Sequence, residues 1–151
     1  MKVLNFLAVI AIALCMVSCN DDDEQGPKMS IAGDYEGATV MTVGSAMDPI
    51  DGVVTIKIDS DSKATLVLPE AKMSPKMSIP EITLHNVSYV KGADGSYTLK
   101  LDAFNLDVNG TNYVSKGLNG VVKNNNLTLN YDFKPGEMPM SINIEFKGLK
   151  K

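Results

Sequence analysis

Arginine and tryptophan are absent from this 151-residue chain, histidine occurs once and cysteine twice. Without arginine there is no bidentate guanidinium fork to clamp phosphate. All fourteen basic residues are lysine. Lys2 falls in the leader and four of the eighteen acids fall in the run Asp21-Asp22-Asp23-Glu24, so thirteen lysines meet fourteen acids over the rest. That near-neutral remainder lacks the basic footprint nucleic-acid binding requires, which excludes nucleic acid as a partner. The lone histidine, His85, leaves too few ligands for a zinc site. No nucleophile elbow or other catalytic motif surrounds it, so it reads as an ordinary strand residue. No apolar run reaches the ~20 residues of a membrane-crossing helix, and no helical periodicity appears beyond the leader.

Met1-Lys2 opens the chain with one positive charge, and Val3 to Val17 is apolar apart from Asn5. A charged start, a short apolar run and a small residue before the cut describe a secretory signal. The ending Met16-Val17-Ser18-Cys19 resembles a bacterial lipobox, which implies cleavage after Ser18 and acylation of Cys19. Cys15 is the poorer candidate, because bulky Leu14 precedes it. Both cysteines are then accounted for, no disulfide can staple the fold, and the core must hold it unaided. Several acyl chains anchor stably, where a single chain holds only marginally. The acid run after Cys19 reads as a self-repelling, solvated spacer. It also resembles the acidic export tag of surface lipoproteins in Bacteroidetes. The chain therefore divides into a signal peptide (1–18), an acylated tether (19–30) and one domain (31–151). The expected address is the outer membrane, at its periplasmic face or the cell surface.

From Ile31 onward the dominant signal has a period of two. Val54, Ile56 and Ile58 alternate with polar neighbours, as do Ala64, Leu66 and Leu68, and Tyr97, Leu99 and Leu101. The same holds for Leu127, Leu129, Tyr131 and Phe133, and for Ile142, Ile144 and Phe146. One wet and one buried face is the antiparallel pattern. Weaker strands cover Asp34–Val43, Ile82–Val90 and Lys116–Lys123, with a short one near Leu106–Val108 or Tyr113–Val114. The apolar face of Ile82–Val90 changes partway, which predicts a β-bulge. Asp59-Ser60-Asp61-Ser62, Asp94-Gly95 and Asn124-Asn125-Asn126 suit tight hairpins, since Asn, Asp and Gly tolerate positive φ. Asp59-x-Asp61 lacks the glycine and distal glutamate of a calcium loop. Eight or nine strands with no helix to cover a face predict a closed barrel or a sandwich, and closure removes exposed edges.

Ile31-Ala32-Gly33-Asp34-Tyr35-Glu36-Gly37 resembles the opening strand of calycins, the lipocalin-type barrels, with Gly33-x-Tyr35 where they carry Gly-x-Trp. Val53–Asp59, Ala64–Leu68, Ile79–Val87 and Asp94–Leu99 resemble the calycin-like barrel lipoproteins of Bacteroidetes. The likeness runs from Ile31 to Lys147. It implies an all-β, single antiparallel up-and-down barrel of about eight strands. It also implies that Gly33 and Tyr35 plug the closed end, that Lys147 is the last-strand lysine placed over the plug, and that ligand carriage is available to the fold. It supplies no catalytic residue.

Two functions fit. In the first, a non-catalytic binding module holds a small apolar or amphipathic ligand in a lumen lined by Val54, Ile56, Leu66, Leu99, Leu129 and Ile144. The loop Pro69–Pro80 then serves as a gate, since Met73 and Met77 are soft, adaptable side chains. In the second, the same residues pack as a dry core and the loops meet a protein or a glycan. A barrel of about eight strands is just wide enough for either. Tyr97 and Tyr131 fall on apolar faces, which assigns them to packing. No metal or cofactor is implied, and no acid, base or nucleophile pair suggests an enzyme.

Overall fold

The computed structural model describes residues 30–151. The expected signal peptide, Cys19 and the expected tether as far as residue 29 lie outside the described residues. Eleven strands follow: β1 (Gly33–Val43), β2 (Ser45–Ala46), β3 (Ile50–Ser60), β4 (Lys63–Leu68), β5 (Ala71–Ser74), β6 (Met77–Ile79), β7 (Ile82–Lys91), β8 (Tyr97–Val108), β9 (Thr111–Lys123), β10 (Asn126–Pro135) and β11 (Ile142–Lys150). Eight of them, β1, β3, β4 and β7 to β11, pair antiparallel in chain order, and β11 returns to β1 through a ladder from Tyr35↔Lys150 to Thr42↔Asn143. The barrel is therefore closed and up-and-down. β2 only extends the margin of β1, and β5–β6 form a separate hairpin.

Period-two patterning decides which face is inside. Along β10 the side chains of Leu127, Leu129, Tyr131 and Phe133 are buried while Asn130 and Lys134 are exposed. The wall is apolar within and polar without, the reverse of a membrane-spanning barrel. The bulge expected in β7 is present. Thr65 of β4 lies opposite two residues, His85 and Asn86, and Asn86 takes φ 61° to make room. Ile58, expected inside, is 40 % exposed, because it lies at the barrel's rim where the β3–β4 ladder slips between Ile58 and Ser60.

The short strand expected near Leu106 or Tyr113 is instead the far half of two long strands. β8 and β9 form one hairpin turning at Asn109-Gly110, both at positive φ. Its register never breaks, yet the inward set changes from Tyr97, Leu99 and Leu101 to Phe104, Leu106 and Val108. On β9 the change falls at Gly117, whose φ of 129° suits a residue without Cβ. The loop Pro69–Pro80 is likewise not irregular. Ala71 and Ile79, facing each other across β5–β6, are buried and fix the hairpin to the core.

Alternating strand directions give the barrel two ends. Ile31, the turns at 61–62, 92–96 and 124–125, and the C-terminus share the tether end. The β1–β3 link, the β5–β6 hairpin, the Asn109-Gly110 turn and the β10–β11 link share the far end. At the tether end Lys123 and the Ser96 hydroxyl and N–H hold the Asp94 carboxylate well below its usual range.

Candidate functional site

The barrel lumen is packed. Val54, Leu66, Leu99 and Leu129 have no accessible surface, Ile56 has 1 % and Ile144 4 %. A cavity that admits water exposes its walls, so these values describe side chains in contact. They belong to one cluster with Tyr35, Met41, Leu118 and Phe146. Gly120 is the sharpest gauge of the fit: a methyl added there would lie 2.5 Å from Cδ2 of Leu129 and 3.3 Å from Cβ of Leu99. Each fully buried aliphatic side chain stabilises the fold by about 1.5–3 kcal/mol.

Both ends of the lumen are closed. At the tether end Tyr35 is fully buried and its hydroxyl donates to the Ile31 carbonyl at 2.8 Å. Burial pushes its phenol up to about 12. Lys150, rather than Lys147, is the last-strand lysine at the plug. It donates to the Ser30 carbonyl and its Cε lies 2.8 Å from where a Gly33 Cβ would stand. Lys147 points outward to Glu145 at 2.8 Å. At the far end Met47, Met73 and Met138 lie against the core, while Met77 is 43 % exposed. Phe133 is ringed edge-on by Phe104, Tyr113 and Tyr131 at 5.3–6.0 Å. Burial raises the phenols of Tyr113 and Tyr131. The tyrosines thus serve packing, and Tyr89 tilts against Tyr97 at 6.3 Å.

A patch of polar groups stands on the outer wall. Asn119, Asn130 and Glu145 lie abreast on β9, β10 and β11, with Lys100 before them and Val40 after. Asp132, Asn143 and Thr42 form the next rung. Apart from Lys100, these residues together with Lys116 and Gly117 border a groove of about 440 Å³. Its floor is built by the irregularity in β9, where Ser115, Lys116 and Gly117 lie between pairs that span only Asp132 and Phe133 on β10. The displaced Lys116 N–H donates to Asp132 Oδ1 at 2.8 Å, and the Ser115 hydroxyl donates to the same oxygen at 3.3 Å. Asp132, only 8 % exposed, is held rigid without a cationic partner among the described residues.

Other clefts offer less chemistry. A trough of about 600 Å³ over β1 and β3 is bordered by Gly37, Ala38, Gly52 and Val53, and its only charged groups are Glu36 and Asp51. A cleft of about 190 Å³ opens where the β7–β8 ladder stops after Ser88↔Lys100. His85 lies outside the barrel, its Nδ1 3.1 Å from the Thr65 hydroxyl, which donates to Asp59 at 2.8 Å. The groove is not legible in sequence order, because its residues come from four strands, β1, β9, β10 and β11, that cross-strand register brings together. The signal available was asparagine at mid-strand, where it is disfavoured.

A family model described as a calycin-like β-barrel domain matches residues 31–149. The chain belongs to the calycin-like β-barrel family. Among solved structures this calycin-like chain is similar to a candidate outer membrane protein from Bacteroides fragilis. The identity is 26 % and the TM-score 0.67, over 80 % of this chain and 51 % of that one. The chain thus spans about half the length of that neighbour. No curated protein matches it.

Proposed function

We propose that this calycin-like chain is a lipid-anchored protein of the outer membrane, tethered through Cys19, whose filled barrel is a non-catalytic recognition module. The observation that carries the reading is the inaccessible lumen, in which the six lining residues are 0–4 % exposed. A ligand could enter only by displacing packed aliphatics, whereas polar groups on the outer wall stand free for a protein or a glycan. The lipobox and the outer-membrane neighbour support the address, and the water-facing polar wall suits a soluble body on a leash. The chain enters the barrel at its plugged end, beside Ile31, which leaves the wall and far end for a partner.

Native mass spectrometry of the protein taken from its own envelope tests both parts. The expected mass is that of residues 19–151 plus acyl chains, with no apolar passenger. A co-purifying small apolar molecule would overturn the filled-barrel reading, and a mature protein without acyl groups would overturn the anchor.

A further inference from the structure

We propose that the groove across β9, β10 and β11 is a binding site for a neutral saccharide. The inference rests on the recognition-module reading above and names its ligand class. Asn119, Asn130 and Asn143 are all exposed, and none makes a side-chain hydrogen bond among the described residues. Other strand asparagines do: Asn112 donates to Asn105 across the β8–β9 hairpin. Asparagine is a poor strand former, so three in adjacent strands carry a local cost that no internal bond offsets. Places where a sequence breaks a local rule without structural return tend to be functional.

The groove's chemistry selects among ligands. Each amide offers two N–H donors and a carbonyl acceptor in one plane. With strands ~4.8 Å apart, the amides of β9, β10 and β11 offer that mixture over about 10 Å. Asp132 adds a fixed acceptor. Its Oδ1 is occupied by Lys116 and Ser115, and since no buried side-chain oxygen in the described residues lacks a partner, its unbonded Oδ2 meets the groove. Glu145, steadied by Lys147, and the Thr42 hydroxyl complete the border. Hydroxyl groups, each donor and acceptor at once, match this set. An anion does not, because Lys116 is the only cation in the lining while Asp132 and Glu145 oppose it. A cation does not, because Glu145 is already paired. An apolar ligand finds only Val40 and edges of Tyr131 and Ile144. A peptide strand adds to an exposed sheet edge, whereas β9, β10 and β11 are each already paired on both sides in the closed barrel.

The test is a glycan array probed with the acylated protein in an amine-oxide detergent, since maltoside detergents would compete. Titration calorimetry with the strongest neutral oligosaccharide follows. Asn130→Ala with Asn143→Ala is expected to weaken that binding by roughly tenfold or more, as loss of two or more hydrogen bonds implies. Asn130→Asp, which keeps the shape and removes the donors, is expected to weaken it too, while Lys57→Ala on the opposite wall leaves it unchanged. Absence of neutral glycan binding, binding of charged glycans only, or equal affinity of the double variant would each overturn the site. The last result, with an empty lumen by mass spectrometry, would leave the recognition module standing and move its contact elsewhere.

Discussion

The two faces of the β9–β10–β11 wall contrast sharply although they alternate along the same strands. Inside, Leu118, Leu129, Ile144 and Phe146 are at most 4 % exposed and locked together. Outside, one residue along, Asn119, Asn130 and Glu145 stand in register, with Asn143 on the next rung. The inner face stabilises the barrel by apolar burial and leaves no room for cargo. The outer face contributes little to stability and holds the groups still free to bond. A period of two lets one strand carry both tasks, and it lets each be altered without the other.

Substitutions can test that separation. Tyr35→Ala removes the plug ring and its bond to Ile31, and should cost about 3–5 kcal/mol in urea denaturation, within the range for large aromatic truncations. A loss below about 1 kcal/mol would mean the plug is ornamental. Gly117→Ala should cost about 1–3 kcal/mol, because φ 129° is strained for a side chain and the new Cβ would lie 2.6 Å from the Leu101 carbonyl. It should also disturb the Lys116–Asp132 bond and so weaken glycan binding, linking the two faces at one residue. Alkaline pH should produce a further loss. Tyr35 is held neutral to about 12 in the fold and an unfolded tyrosine ionises near 10. Its contribution is full below pH 10 and disappears as pH rises toward 12. A urea midpoint equal at pH 9 and pH 11.5 would contradict that. Asn130→Ala should change stability by less than about 0.5 kcal/mol while binding falls, and a large stability loss would show that the amide is structural.

Much of the barrel could be read from alternation alone. Leu127 to Phe133 and Ile142 to Phe146 announce half-buried strands, and the face change in Ile82–Val90 announces the bulge at Asn86. Where both partners of a ladder change face together, as in β8 and β9, periodicity dissolves although pairing continues. That is why one hairpin read as fragments. The dipeptide Asn109-Gly110, the strongest short hairpin signal, marks its turn. Proline and methionine in Pro69–Pro80 suggested a gate, but buried Ala71 and Ile79 make it a fixed hairpin. Whether aliphatics line a cavity or fill it depends on side-chain volumes across a barrel, and sequence order does not carry that information. The groove depends on cross-strand register, which is equally hidden.

The filled lumen is tested most directly by Gly120→Ala in urea denaturation. Replacing a strand glycine by alanine ordinarily gains about 0.5–1 kcal/mol, as backbone entropy is saved. Here the new methyl meets Leu129 at 2.5 Å, and overpacking a full core costs about 1–3 kcal/mol. A lowered urea midpoint is the predicted result. A raised one would mean that the barrel has room to spare.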